Sequence, residues 1–265
     1  MEGIDNIQPE FQEAFAHADQ LIADYLGQRL QAAYLGGSVA VGEAWPGASD
    51  FDCFIFISDT LTPNDIQWRA QIEAILAGRF SAVSAFHLNV YPLQRLETEA
   101  FWRFILRYNA LRLRGDDVLA HLADRGHLTP EPTCAFARSR HAFVSQCVEA
   151  ACRGESPPSL ESKLDDPLLW TRKLVRNFIV IEGAFLLMVA GRFRSFRQGE
   201  VLLGLQCSFP QWSDLYVLSR AILQDPYAAG VLPEQFIRDA HPFLQWMVEV
   251  LRDSEGTAPK RSRRA

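Results

Sequence analysis

The chain has no Cys-x-x-Cys pair, and its five cysteines (Cys53, Cys134, Cys147, Cys152 and Cys207) are odd in number and scattered, with no histidine at zinc spacing. That pattern argues against a disulfide framework or a structural zinc site, and the cysteines read as reduced packing residues. The sequence also lacks an uninterrupted apolar run of about eighteen residues, the length a membrane helix needs. Met1–Asp5 has neither the basic start nor the apolar core of a signal peptide, so the expected location is the cytoplasm, with no membrane partner. A basic excess is missing as well: the net charge is -6, which disfavours a protein that wraps nucleic acid by charge alone. What is present is apolar mass, 48% of 265 residues, enough for two domains of ordinary size with real cores.

The chemistry concentrates in two short pieces. Leu35-Gly36-Gly37-Ser38 ends an apolar strand, and Ser49-Asp50-Phe51-Asp52 leads into the apolar run Cys53-Phe54-Ile55-Phe56-Ile57. Glycines without a Cβ reach dihedrals closed to other residues and let a bulky anion approach the backbone, and Ser38 adds a hydroxyl donor. Residues 38–44 read as a short helix whose first N–H groups face the same anion. Strand period two puts Asp50 and Asp52 on one face, so hard oxygen ligands converge where a triphosphate would sit, and Mg²⁺ suits them better than zinc.

The order of apolar strand, Gly-Gly-Ser turn, short helix, Pro/Gly loop and Ser-Asp-x-Asp strand resembles the polymerase-beta-type nucleotidyltransferase superfamily. Within it the layout is most similar to the bacterial aminoglycoside adenylyltransferases. The resemblance implies an α/β (α+β) chain with a small mixed-sheet nucleotidyltransferase domain followed by an all-helical bundle. It further implies that Gly36, Gly37, Ser38 and Ser49 bind the nucleotide phosphates, that Asp50 and Asp52 hold Mg²⁺, and that ATP is the co-substrate. The implied partners are a nucleoside triphosphate and a hydroxyl-bearing small molecule such as an aminoglycoside-like antibiotic. A protein acceptor, as in adenylylating antitoxins, stays open, and so does a non-catalytic nucleotide-binding or interaction protein of the same fold.

Members of that superfamily commonly carry a third acid on a later strand. Here that strand reads Ser84-Ala85-Phe86-His87-Leu88-Asn89-Val90-Tyr91-Pro92. Alternation puts Phe86, Leu88 and Val90 in the core and His87, Asn89 and Tyr91 on the polar face, with no carboxylate among them. Asn89 stands where the acid is expected and offers only a neutral carbonyl oxygen. An unperturbed histidine changes charge near neutrality, which makes His87 a candidate general base, or it is simply a hydrogen-bonded strand histidine. Glu97 and Glu99 follow, either reaching the site from a helix or sitting at a helix start for the dipole.

The remaining pattern divides the chain into a nucleotidyltransferase domain over 1–128, a helical domain over 133–254 and a basic tail over 255–265. Helices are expected over 9–30, 62–78 and 95–107, with Asp116 or Asp117 as a helix N-cap after a short strand. Thr129-Pro130-Glu131-Pro132 reads as the linker. Helices over 133–153, 167–190, 210–223 and 232–252 complete the second half. Arg172, Lys173 and Arg176 lie within about one helical turn, either as cations that neutralise the triphosphate and leaving pyrophosphate or as a solvated basic face. Arg192, Arg194 and Arg197 interleave with Phe193 and Phe196, which suits a phosphate chain or, equally, a helix-end loop with snorkelling arginines.

Overall fold

The computed structural model describes residues 4–120, 130–153, 155 and 164–255. The basic tail beyond Glu255 and the Glu155–Ser159 break lie largely outside the described residues, as does the side chain of Cys134. The chain divides into two compact units, Met1–Leu128 and Thr129–Ala265.

In the first unit, helix α1 (Pro9–Leu26) precedes strand β1 (Leu30–Gly36), the one-turn helix α2 (Gly37–Ala40), strand β2 (Phe51–Ile57) and helix α3 (Pro63–Arg79). Strand β3 (Phe86–Pro92), helices α4 (Gln94–Thr98) and α5 (Ala100–Asn109) and strand β4 (Ala110–Gly115) follow. The sheet is mixed, in the order β3-β2-β1-β4. β1 is antiparallel to β2 and β4, and β2 is parallel to β3.

Helical spacing puts Phe11, Ala14, Phe15, Ala18, Ile22 and Leu26 on one buried face of α1. That face packs with Leu35, Cys53, Ile55, Leu88 and Val90 from the sheet and Leu76 from α3. Each fully buried Phe or Ile there contributes about 2 kcal/mol. A smaller cluster of Ala32, Tyr34, Phe56, Leu96, Leu106 and Val118, joined by Phe54, Tyr91 and Trp102, lies elsewhere in the unit. Strand alternation puts its strand residues on the opposite face of the sheet, the one that carries Asp52.

α3 starts at Thr62, whose hydroxyl accepts from the Asp65 amide while the Asp65 carboxylate accepts from the Thr62 amide, a reciprocal capping box. The helix expected over 95–107 is divided at Glu99, which is extended (φ -115°, ψ 95°) because its carboxylate is held by Arg95 and by the Trp102 indole N–H, both at 2.8 Å. Asp117 caps a turn rather than a helix, accepting from the Leu119 amide at 3.2 Å.

The second unit is helical throughout its described elements. They are α6 (Pro130–Cys152), α7 (Pro167–Val175), α8 (Glu182–Val189), α9 (Gln198–Ser208), α10 (Ser213–Gln224), α11 (Pro226–Ala229) and α12 (Pro233–Glu255). Pro130 and Pro132, read from the sequence as linker, form the first turn of α6, where a proline costs no hydrogen bond. The apolar helix expected over 167–190 is continuous, but Arg176–Ile181 between α7 and α8 is wound as a π-helix. α9 and α11 were not expected from the pattern.

α6 packs along α12 and α8, and Arg140 pairs with the buried Glu182 while its guanidinium lies 3.8 Å from the Phe143 ring centre. Burial raises the Glu182 carboxyl and Arg140 opposes the rise. Of the cysteines, Cys53 and Cys147 are buried packing residues, but Cys152 and Cys207 are exposed. Among the described residues no helix is long and apolar enough to cross a membrane.

Candidate functional site

The site grows from the end of β1. Gly37 has φ +69°, a left-handed conformation that an L side chain resists, and it opens α2 directly behind the strand. A Cβ added at Gly37 would stand 2.8 Å from Asp52 Oδ2, so the turn is folded against that carboxylate. Gly36 is different from the expectation. Its backbone is extended (φ -110°), and what it needs is space, since a Cβ there would meet the Phe54 ring at 2.4 Å. Gly37→Ala is expected to cost about 1–2 kcal/mol of stability through the left-handed strain and to displace Asp52. The check is a urea melt together with a titration of ATP and Mg²⁺, in which nucleotide affinity should fall more than stability does.

Across the sheet, Gly36 is opposite Asp52, and Asp52 is opposite His87 on β3. Asn89 pairs with Phe54, one step further along the same face. Asp52, His87 and Asn89 are all half-buried, so they line a partly open face rather than the core. The Asn89 amide nitrogen donates to the His87 carbonyl at 3.4 Å. Asp50 lies just outside β2, in the segment before Phe51 that the Phe51 amide anchors to the Ala85 carbonyl at 2.8 Å. Asp52 is in the ladder, while Asp50, expected on the same strand face, precedes the strand.

Ser38 is buried directly after the turn, and its carbonyl accepts from the Glu43 amide at 2.9 Å, closing the loop behind α2. Ser49 is buried too, but its hydroxyl accepts from the Trp45 amide at 2.9 Å and serves the Trp45–Ser49 turn. The structure thus gives Ser49 a loop-shaping role. Glu99 is held by Arg95 and Trp102, on the dipole-and-packing side of the two roles weighed for it. Sequence reasoning did not connect Arg95, whose guanidinium lies 4.3 Å from the Tyr91 ring centre and 5.1 Å from that of Trp102.

Lys173 and Arg176 belong to the second unit, at the junction of α7 and the π-helical segment, and both are half-buried. The Lys173 carbonyl accepts from the Asn177 side-chain amide at 2.9 Å. Arg172 is neither an exposed cation nor a solvated face: it is buried, with Nε donating to the Leu223 carbonyl at 3.3 Å in the last turn of α10. Phe196 is buried against Phe185 and Phe193, while Arg192, Arg194 and Arg197 are exposed, the arrangement of a helix-end loop with solvated arginines.

Among the described residues no three or more His, Cys, Asp or Glu converge as a metal cluster. A carboxylate pair such as Asp50 and Asp52 still fits Mg²⁺ by its chemistry, because that ion usually takes one or two carboxylates and completes its octahedron with substrate phosphates and water.

No family model and no curated protein matches the chain. Among solved structures, the chain is similar to a spectinomycin adenyltransferase from Enterococcus faecialis, solved with ATP and spectinomycin. The TM-score is 0.53 at 13% identity, over 91% of this chain and 98% of that one. The likeness is one of fold, a small mixed sheet followed by helices.

Proposed function

We propose that the chain is a Mg²⁺-dependent nucleotidyltransferase that moves AMP from ATP onto a hydroxyl of a small molecule and releases pyrophosphate. The observation that carries this reading is the left-handed Gly37 turn folded against the Asp52 carboxylate, with Asp50 at the mouth of the same strand. The fold shared with an adenyltransferase solved with ATP supports it.

In this reading the backbone N–H groups around Gly37 and Ser38 hold the β- and γ-phosphates, and Asp50 and Asp52 hold Mg²⁺. When bound, the ion offsets charge on the phosphate oxygens. The acceptor oxygen bonds to the α-phosphorus as the bond to the pyrophosphate oxygen breaks. His87, beside Asp52 in the sheet, takes the hydroxyl proton.

The test is release of labelled pyrophosphate from ATP, with and without Mg²⁺, across neutral, cationic and acidic hydroxyl compounds. Mg²⁺-dependent release with at least one of them is expected, and the reading fails if ATP neither binds nor turns over. A second reading is favoured by Asn89, which stands where a carboxylate would complete the site: a nucleotide-binding protein without transfer. Tight, Mg²⁺-dependent ATP binding with no pyrophosphate release from any acceptor would select it.

A further inference from the structure

A depression of about 1040 Å³ is formed by β4, the end of α5 and the turn after β4, with Tyr34 of β1 in its lining. Its polar lining consists of Tyr34, Arg107, Arg112, Arg114 and Asp117. The register connects it to the proposed nucleotide site. Ala110 is opposite Gly36, which is opposite Asp52, and Arg112 is opposite Tyr34, which is opposite Phe54. Arg112 and Tyr34 therefore belong to the face that carries Asp52, one row along. With about 4.8 Å between strands and about 3.3 Å per residue, the Cα atoms of Arg112 and Asp52 are roughly 12 Å apart. A small molecule spans that distance.

The charges in the depression are unequal. Arg114 is occupied by Asp19, with contacts of 2.6 and 2.7 Å. Asp117 accepts from the Leu119 amide and caps its own turn. Arg107 and Arg112 are exposed and form no ion pair among the described residues. Tyr34 is 3% exposed, its ring fixed edge-on to Phe56, and its hydroxyl is buried with no hydrogen-bond partner of ordinary geometry. Burial pushes its phenol up to about 12, with Asp117 adding to the rise. Arg112 opposes it, and the Val118 amide, already given to the Asp116 carbonyl at 2.9 Å, adds a weak downward pull. The charged groups acting on that hydroxyl are Asp117 and Arg112, while Arg107 and Arg112 hold guanidinium forks at the surface of the depression, the geometry that suits an anion.

We propose that this depression is the acceptor subsite and that it selects a hydroxyl compound bearing a carboxylate or phosphate group, held by Arg112 and Arg107. The proposal rests on the reading of the aspartate pair as the nucleotide site. It excludes an amine-rich acceptor, because such a cation would meet two unpaired arginines and one carboxylate already used in a turn.

The test is calorimetric titration of the full chain with inorganic phosphate, citrate and spermidine, with and without a saturating non-hydrolysable ATP analogue. Phosphate and citrate should bind and spermidine should not. Arg112→Ala should weaken anion binding about tenfold, and Arg112→Lys should restore part of it. Arg112 is exposed, so unchanged circular dichroism is expected for its variants. Anion binding should persist with the analogue present, and Arg112→Ala should leave affinity for the analogue intact. Anion binding indifferent to Arg112→Ala, or spermidine binding in place of phosphate, overturns the proposal. Loss of anion binding on adding the analogue, with weaker analogue binding by Arg112→Ala, assigns the arginine to the nucleotide and also overturns it. If the analogue fails to bind the wild type while phosphate still binds through Arg112, the nucleotide reading has failed and the acceptor role falls with it, leaving an anion site alone.

Discussion

Asp52→Asn is expected to lower Mg²⁺-dependent nucleotide transfer by about a thousandfold, the equivalent of the several kcal/mol that a correctly held metal supplies in phosphoryl chemistry. The substitution keeps the size of the side chain, so the Gly37 turn that approaches to 2.8 Å of Asp52 Oδ2 still has its neighbour. What it removes is a charged oxygen. In the proposed reading Asp50 and Asp52 are the two carboxylates that hold the ion, so the loss of one halves their anionic contribution to it. Nucleotide affinity measured with Mg²⁺ should fall steeply, while affinity in excess chelator should be almost unchanged or rise, since one negative charge near the phosphates has gone. Steady-state release of pyrophosphate and paired titrations with and without Mg²⁺ check this. Undiminished turnover in Asp52→Asn would remove Asp52 from the metal site.

The parts of the fold legible in the sequence were those governed by local period and local hydrogen bonds. The strand expected from Phe51 to Ile57 is β2, because an apolar run bounded by Asp50 and by Ser58-Asp59 leaves little freedom in its ends. The alternation that buries Phe86, Leu88 and Val90 and leaves His87, Asn89 and Tyr91 half-exposed also holds in β3. α9 was missed because Gly199 and Gly204 dilute its helical pattern, although Val201, Leu202 and Leu205 are buried at helical spacing. The π-helical winding of Arg176–Ile181 has no signature in residue type.

At the candidate site, the turn into α2 at Gly37 and the strand that begins at Phe51 were legible because each is a contiguous piece of sequence. The division of labour inside them was not. Gly36 is small for the sake of Phe54, eighteen residues away in sequence, and Ser49 is engaged by Trp45, a contact only the folded loop creates. Arg112 and Tyr34 went unnoticed for the same reason: their adjacency is a property of the β1–β4 register, not of either segment.

Asp65→Ala is expected to destabilise the chain by about 3 kcal/mol, the lower end of what removing one partner of a buried ion pair costs. Asp65 is fully buried at the start of α3 and receives Arg29 through two parallel contacts of 2.8 and 3.0 Å, the Thr62 hydroxyl at 2.7 Å and the Tyr25 hydroxyl at 3.1 Å. Truncation leaves those donors facing an apolar gap, and it also dissolves the capping box. Arg29 remains paired with Asp59 at 2.9 Å and its side chain is 30% exposed, so water partly screens the stranded guanidinium and keeps the cost from the upper end. Arg29 and the hydrogen bonds hold the Asp65 carboxyl well below the usual carboxylate range. A carboxyl whose folded value lies below its unfolded value of about 4 favours the folded chain above that pH, and the advantage fades as pH falls toward the folded value. Urea midpoints of wild type and Asp65→Asn should therefore differ most at neutral pH and converge as the pH drops below about 4. A constant difference from pH 7 to pH 2 would show that Asp65 acts through shape and capping, with no contribution from its charge.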